Sequence, residues 1–205
     1  MLIYILGGGI QYRTMFNNLG FTVVDSIYAA QVLCFTGGAD VSPSLYGEDK
    51  HPRTSVNAIR DEEEVAIYKF ALNRRIPMVG ICRGAQFLHI MNGGSLYQDV
   101  DNHAIYGTHE AIDILTQEVV DVTSTHHQMM RNAGEGEVVC TANLSTRKEY
   151  MSDNGVKKDN NFKEDLEVVW HKSTRCLCFQ PHPELEGADS TYLYFKNLLE
   201  RYLDV

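Results

Sequence analysis

The chain has 205 residues, a hydrophobic content of 44% and a formal net charge of −9. This length favours a single domain, and the negative charge argues against nucleic acid or an anionic membrane as partner. The apolar run at residues 1–6 is too short for a signal peptide or a membrane span, and the five cysteines form no recognisable disulfide framework. Together these features predict a cytoplasmic protein.

The first half of the chain alternates between predicted strands and helices. Apolar runs predict strands at 2–6, 21–24, 32–35 and 77–81, with helices at about 11–19, 61–74 and 84–91. After residue 105 the pattern changes to strands, at 109–115, 118–122, 137–142, 166–171 and 175–179, followed by a last helix at about 188–203. This order is typical of a mostly parallel sheet with an antiparallel extension. The polar stretch 150–165 is interpreted as a loop or a hairpin extension.

A glycine-flanked cysteine separates the strand at 77–81 from the helix that follows it. The segment Gly80-Ile81-Cys82-Arg83-Gly84 has the strand–turn–helix pattern of a nucleophile elbow. Glycine is required on both sides because a side chain there would collide with the neighbouring elements. The helix N-terminus favours a thiolate. Alone, this motif is also consistent with a buried structural cysteine.

A second motif near the C-terminus favours the catalytic interpretation. Gln180-Pro181-His182-Pro183-Glu184 follows the strand predicted at 175–179. A cysteine nucleophile needs a base, and the base needs an acceptor that orients it. His182 can exchange the proton and Glu184 can hold the imidazole tautomer. The two motifs together predict a triad of Cys82, His182 and Glu184.

The ordered motifs resemble the class I glutamine amidotransferase superfamily, and within it most closely the gamma-glutamyl hydrolase branch. The resemblance rests on segments 35–43, 60–64, 80–86, 93–99, 124–128 and 180–184. Arg83 after the nucleophile and His126-His127-Gln128 are similar to the hydrolase branch. The resemblance implies one flavodoxin-like domain over residues 1–205, a three-layer α/β sandwich with a mostly parallel central sheet, an antiparallel extension and a nucleophile elbow.

The same resemblance implies roles for residues around the triad. The amides of Gly38 and Arg83 would form an oxyanion hole, and Gln86 would contact the amino-acid end of a bound glutamyl group. The backbone at Thr125, His127 and Gln128 would hold the glutamyl α-amino and α-carboxylate groups. His126 would support the catalytic histidine or line the pocket.

Two further groups of polar residues have simpler interpretations. His126 and His127 could suggest zinc together with His103 and His109, but their spacing matches no standard structural site. We therefore predict no metal and no other cofactor. In segment 60–64, Asp61 is a plausible helix cap, and the acids at 62–64 are expected to be first-turn residues favoured by the helix dipole.

The sequence thus predicts a cysteine-dependent hydrolase that cleaves a γ-glutamyl amide through a γ-glutamyl thioester, releasing glutamate and an amine. The alternative is a glutaminase subunit that delivers ammonia to a separate synthetase. A non-catalytic binding protein agrees poorly with an intact triad. Pro181 and Thr123 depart from the family pattern, and segment 41–53 is expected to cover the pocket.

Overall fold

The computed structural model describes residues 1–100, 103–131, 133–143, 149–151, 157–159 and 165–203. Its N-terminal half alternates strands with helices, as predicted. The elements are β1 (Leu2–Leu6), α1 (Ile10–Asn18), β2 (Thr22–Val23), β3 (Val32–Phe35), α2 (Ala58–Arg74), β4 (Met78–Ile81) and α3 (Arg83–Met91). Short 3₁₀ turns lie at Ile27–Ala29 and Pro43–Tyr46.

The C-terminal half is rich in strands and ends in a helix. Its elements are β5 (Ser95–Tyr97), β6 (Asp99–Val100), β7 (Ala104–Asp113), β8 (Val119–Thr125), β9 (Met129–Arg131), β10 (Glu137–Ala142), β11 (Glu149–Met151), β12 (Lys157–Asp159), β13 (Leu166–His171), β14 (Cys176–Phe179) and α4 (Asp189–Leu203). Strands β5, β6 and β9 were not predicted, because runs of two or three residues carry little periodic signal.

A nine-stranded sheet organises the molecule. Its strand order is β2-β1-β3-β4-β14-β13-β10-β7-β8. The first five strands are parallel, and the remaining four pair antiparallel. The predicted parallel sheet with an antiparallel extension is therefore confirmed. In the stretch 150–165, β11 and β12 pair antiparallel, which agrees with a hairpin extension, while the rest of that stretch except Asp165 lies outside the described residues.

Helices cover both faces of the sheet and give the predicted three layers. On one face α1 and α4 pack against the sheet through Phe16, Phe195 and Leu198. On the other face α2 and α3 pack through Tyr68 and Phe87, and Phe35 stacks on Phe87 with ring centroids 5.4 Å apart. Burial of these apolar side chains supplies the main driving force for the fold. Among the described residues, no helix is long and apolar enough to cross a bilayer.

Candidate active site

The candidate site lies at the carboxyl ends of three adjacent parallel strands. Gly37 and Gly38 follow β3, Cys82 follows β4, and His182 follows β14. These strands are neighbours in the sheet, in the order β3-β4-β14. In open α/β sheets this edge is where ligands bind, so the topology brings together motifs that are far apart in the sequence.

Cys82 has the strained backbone of a nucleophile elbow. Its φ is 52° and its ψ is −110°, outside the regions that a residue with a side chain normally adopts. The glycines on either side permit the turn: a Cβ at Gly80 would lie 2.4 Å from the Gly84 backbone, and a Cβ at Gly84 would lie 2.0 Å from the Phe35 carbonyl oxygen. Cys82 is half-buried, whereas the other four cysteines are buried.

His182 links the nucleophile to an orienting carboxylate. Its Nδ1 lies 2.7 Å from Oε1 of Glu184, whose side chain is buried. Burial alone would lower the pKa of His182, but hydrogen bonds with Cys82 and Glu184 and their charges raise it to about 10. The structure thus places the three predicted triad residues beside one another, with a direct hydrogen bond between His182 and Glu184.

Two residues that the sequence did not single out for the site position His182 and the glycine loop after β3. The hydroxyl of Thr123 accepts a hydrogen bond from the His182 amide at 2.7 Å and lies 3.3 Å from the His182 carbonyl oxygen. The hydroxyl of Tyr12 accepts from the Gly37 amide at 3.1 Å. Burial and the nearby Glu184 carboxylate raise the pKa of Tyr12, so this phenol stays neutral. Thr123 is one of the positions that depart from the family pattern.

Arg83 is anchored beneath the elbow rather than exposed in the cleft. Its guanidinium pairs with Asp61 and Glu64 of α2, and all three side chains are almost fully buried. Burial lowers the pKa of Arg83 to about 10, so it remains charged at neutral pH. As the first residue of α3, Arg83 has a backbone N–H without a carbonyl partner inside the helix, as an oxyanion donor requires.

The acidic residues of segment 60–64 do not play the structural roles that the sequence predicts. Asn57, not Asp61, caps α2, by accepting a hydrogen bond from the Arg60 amide at 3.2 Å. Glu64 is only 3% exposed rather than solvated, because it pairs with both Arg60 and Arg83. The cap prediction for Asp61 was wrong because the helix begins one turn earlier than predicted, at Ala58.

Arg60 fixes the glycine loop that was predicted to supply an oxyanion donor. Its guanidinium donates to the carbonyl oxygens of Thr36 at 2.9 Å and Gly37 at 2.8 Å. Gly38 has a φ of +146°, and a Cβ there would lie 2.2 Å from Arg60 Nη1. The positive φ therefore favours glycine at this position, and a side chain would displace the Arg60 guanidinium.

The predicted substrate residues form a buried amide network beside the triad. Gln86 Nε2 donates to the Gln128 carbonyl oxygen at 3.0 Å and lies 3.2 Å from Gln180 Oε1. Gln128 Nε2 donates to Thr54 Oγ1 and to the Gln98 carbonyl oxygen. Gln86 and Gln128 are 2% and 1% exposed. Their side chains therefore shape the loop after β8 from within the protein.

His127 lies between two carboxylates at the edge of this network. Its Nε2 is 3.2 Å from Asp40 Oδ1, and its Nδ1 is 3.4 Å from Asp99 Oδ1. The hydrogen bond to Asp40 is the main reason that its pKa is raised. Thr125 lines a cavity of about 310 Å³ together with Thr123 and Leu185.

Segment 41–53, expected to cover the pocket, packs against Gln98 and Asp99, which follow β5. The His51 amide donates to Gln98 Oε1 at 2.9 Å, and Arg53 pairs with Asp99 at 2.9 Å. Since Gln98 and Asp99 contact Gln128 and His127, the segment supports the predicted substrate loop from the outside. That it covers a bound substrate stays a prediction.

His126 occupies a separate buried cluster. Its Nδ1 donates to the Gln128 carbonyl oxygen at 2.8 Å, and its ring lies 4.9 Å from that of His103. Burial lowers the pKa of His126 to about 3, so this imidazole is neutral. His103, His109 and Glu167 complete the cluster. Thr123, rather than His126, supplies the hydrogen bonds to the His182 backbone.

Sequence comparison relates the chain to proteins named as glutamine amidotransferases. The profile of the family Peptidase C26 matches residues 22–114. The glutamine amidotransferase-like protein YvdE of Lactococcus lactis is 30% identical over 188 residues, which cover 77% of this chain and 76% of that protein. PB2B2.05 of Schizosaccharomyces pombe, provisionally named a glutamine amidotransferase, is 33% identical over 172 residues, covering 73% of this chain and 64% of that protein.

The fold comparison agrees with the sequence comparison. A crystal structure from Thermoplasma acidophilum, described as part of a GMP synthase, aligns with a TM-score of 0.63 at 16% identity and covers 100% of this chain and 96% of that one. At this identity the likeness concerns the fold alone. With the sequence relatives and the elbow geometry, the chain belongs to the class I glutamine amidotransferase-like superfamily.

Proposed function

We propose that this chain is a cysteine-dependent hydrolase that cleaves the γ-glutamyl amide bond of a small substrate. The observation that carries the proposal is the elbow cysteine with a hydrogen-bonded His182–Glu184 pair beside it. An amidase-type activity agrees with the match to a peptidase family and with relatives named as glutamine amidotransferases. The γ-glutamyl substrate is our inference from the motifs around the triad.

In the first half-reaction the Cys82 thiolate attacks the δ-carbonyl carbon of the substrate. A protonated His182 beside the sulfur stabilises the thiolate before attack. The amides of Gly38 and Arg83 would stabilise the oxyanion, and such donors are each worth about 10²–10³ in rate. As the C–N bond breaks, His182 gives its proton to the leaving amine, and a γ-glutamyl thioester remains on Cys82.

In the second half-reaction the neutral His182 takes a proton from water, which attacks the thioester carbonyl. The C–S bond breaks, the thiolate and the imidazolium are restored, and glutamate leaves. Glu184 keeps Nδ1 protonated in both half-reactions, because its carboxylate accepts the Nδ1 hydrogen bond. The Gln86–Gln128 network and the loop at Thr125–Gln128 would hold the glutamyl group.

The test is glutamate release from glutamine, γ-glutamyl-GABA, γ-glutamyl dipeptides and poly-γ-glutamate. We expect wild type to turn over γ-glutamyl amides well above glutamine, Cys82→Ala to be inactive with an unchanged melting temperature, and the matched variant Cys140→Ala to be active. Cys140 is buried in β10, away from the triad. Activity retained in Cys82→Ala would overturn the proposal. Because a working thiolate prefers a reducing compartment, we expect this enzyme to act in the cytoplasm.

A second candidate is a glutaminase subunit that passes ammonia to a separate synthetase. This candidate is supported by the similarity in fold to a protein described as part of a GMP synthase. It predicts slow turnover of glutamine alone, no turnover of the other γ-glutamyl amides, and stimulation when a synthetase partner is added. Rapid hydrolysis of γ-glutamyl amides without a partner would exclude it.

A further inference from the structure

A second polar cluster lies under the antiparallel half of the sheet, away from Cys82. It contains His103, His109, His126 and Glu167, which we call the histidine cluster; their exposed fractions are 0%, 5%, 4% and 0%. His109 belongs to β7 and Glu167 to β13, the strands on either side of β10. One ligand atom from each of His103, His109 and Glu167 can be chosen so that all lie within 4.8 Å of one another.

The outer ring nitrogens of these histidines are held by protein groups. His109 Nδ1 lies 2.9 Å from the Glu110 carbonyl oxygen, and His126 Nδ1 lies 2.8 Å from the Gln128 carbonyl oxygen. A carbonyl can only accept, so both Nδ1 atoms carry the proton, and in the neutral ring Nε2 keeps its lone pair. His103 Nε2 lies 3.3 Å from Asp165 Oδ2. Outer hydrogen bonds of this kind orient the histidine ligands of metal sites.

Several inner atoms of the cluster have no hydrogen-bond partner within the part of the chain that the structure describes. These are both carboxylate oxygens of Glu167, Nε2 of His109 and Nε2 of His126. His103 Nδ1 lies 3.3 Å from the Ser124 hydroxyl. His109 Nε2 lies only 3.1 Å from Glu167 Oε1, yet the pair does not form an aligned hydrogen bond. Burying a carboxylate in this way is costly unless a cation balances it, and that cation is either a protonated His109, whose pKa burial would lower but Glu167 raises to about 8, or a bound metal ion.

We propose that His103, His109 and Glu167 bind a divalent transition-metal ion. In a tetrahedral site with ligands at about 2.0–2.1 Å, neighbouring ligand atoms are roughly 3.3 Å apart. The distances from Glu167 Oε1 to His109 Nε2 and His103 Nδ1 are 3.1 Å and 3.7 Å. Imidazole with one carboxylate suits zinc and its neighbours in the first transition row.

The proposed metal braces the active-site loops and takes no part in bond cleavage. The Gln128 carbonyl oxygen that holds His126 also accepts from Gln86, on the first turn of the elbow helix. The Glu167 carbonyl oxygen accepts from the Gln180 amide at 2.8 Å, two residues before His182. The His103 carbonyl oxygen accepts from the His126 amide at 3.2 Å, so the metal would fasten both the loop after β8 and the histidine loop to β13. This inference does not depend on the substrate of Cys82.

The experiment is a titration of chelator-treated protein with Co²⁺, followed by competition with Zn²⁺. Wild type should bind one equivalent and show visible ligand-field bands without a thiolate charge-transfer band. The double variant Cys82→Ala/His182→Ala, which removes the thiol and imidazole of the triad, should bind Co²⁺ like wild type. Glu167→Gln should weaken Zn²⁺ binding by more than roughly 100-fold. Glu110→Gln, an exposed carboxylate change on β7, should bind like wild type because its backbone carbonyl is retained.

Two results would overturn the proposal. The first is the absence of stoichiometric binding by wild type, which would make the histidine cluster a network of ion pairs without metal. The second is binding lost in the double variant but retained in Glu167→Gln, which would place the metal on the triad. If Glu167→Gln fails to fold, the comparison of wild type with the double variant still tests the proposal. Equal Co²⁺ binding by these two proteins, without a thiolate absorption band, excludes the triad as the metal site.

Discussion

At the scale of single residues, the environment of Cys82 distinguishes it from the other cysteines. Burial raises the pKa of Cys34 and Cys178 well above the usual range and that of Cys176 to about 11. These buried thiols cannot ionise near neutral pH, whereas Cys82 is half-buried and lies beside His182. The sequence could predict this difference, because the four other cysteines lie in apolar strands and Cys82 alone stands between glycines.

Replacing Glu184 by Gln tests whether the Glu184 carboxylate stabilises the protonated form of His182. An amide can still contact Nδ1 but no longer stabilises the imidazolium, so we expect glutamate release to fall by roughly 10²–10⁴-fold. The pKa of His182 should also fall from about 10, and a pH–rate profile measures that shift. Glu186→Gln is the matched control, since Glu186 is exposed two residues further along. Equal rates in the two variants would contradict a role for Glu184.

Replacing Thr123 by Val should displace His182 without removing it. The substitution keeps the side-chain shape but removes the hydroxyl that bonds the His182 backbone. We expect kcat to drop by about 10–100-fold, because small displacements of a catalytic group are costly, and we expect Thr123→Ser to restore most of it. Thr108→Val, at the exposed position opposite on β7, is the control. A change in KM alone, or no rescue by Ser, would argue against a positioning role.

At the scale of secondary-structure elements, the elbow depends on close contact between β3, β4 and α3. A Cβ at Gly84 would lie 2.0 Å from the Phe35 carbonyl oxygen, and backbone cannot give way cheaply. We predict that Gly84→Ala destabilises the protein by roughly 3 kcal/mol or more, which corresponds to a fall in Tm of roughly 6–12 °C. Thermal melting measures this change directly.

The control for that substitution is Gly107→Ala. The nearest atom to a Cβ there is the Ile105 carbonyl oxygen at 3.9 Å, and Gly107 lacks a positive φ. Its cost should stay within about 0.5 kcal/mol, as for most surface changes. Similar melting temperatures for the two variants would show that the elbow is looser than described.

The sequence predicted the order of most elements but not all of their ends. Strands β1, β3, β10 and β13 begin and end at the predicted residues because apolar side chains predominate in them, whereas β7 begins at Ala104, five residues before the prediction. Helix α2 begins before the predicted residue 61, since Asn57 and Ala58 give no apolar periodicity. The buried pairing of Arg83 with Asp61 and Glu64 was missed because charged first-turn residues are usually solvated.

At the scale of the whole molecule, Asp113 ties α4 to the antiparallel sheet. Its buried carboxylate accepts hydrogen bonds from Arg201 at 2.7 Å and Tyr194 at 3.0 Å. Burial alone would raise the pKa of Asp113, but the Thr116 amide, Arg201 and Tyr194 lower it. A lowered pKa means that this stabilisation is present above the ordinary value near 3.9 and is lost as the pH falls through the folded value.

Replacing Asp113 by Asn should therefore destabilise the protein in a pH-dependent way. We expect a loss of about 1–3 kcal/mol at pH 7, as for hydrogen bonds to a charged group, and a smaller loss below about pH 4. Denaturant unfolding at several pH values measures the difference from wild type. Asp121→Asn, an exposed change on β8, serves as the control. If the difference in unfolding free energy between wild type and Asp113→Asn stays constant between pH 7 and pH 3, Asp113 acts through its shape rather than its charge.

The arrangement of the strands explains why only part of the site could be predicted. The triad could be proposed because the elbow and the His182 motif each have a local pattern that follows a strand. The roles of Tyr12 and Thr123 depend on which strands are neighbours in the sheet, and no local pattern encodes that order. The sequence raised His103, His109 and His126 as zinc candidates but rejected them for lack of a standard spacing, and it did not single out Glu167, which lies on a separate strand.

The most direct test of the central claim is the identification of the cysteine that reacts with a γ-glutamyl electrophile. A diazoketone analogue of glutamine, followed by peptide mapping, should modify Cys82 alone, and glutamine or a γ-glutamyl amide should protect it. His182→Ala should slow the modification, because it removes the imidazolium beside the sulfur. Modification of another cysteine, or none at Cys82, would contradict a γ-glutamyl thioester mechanism.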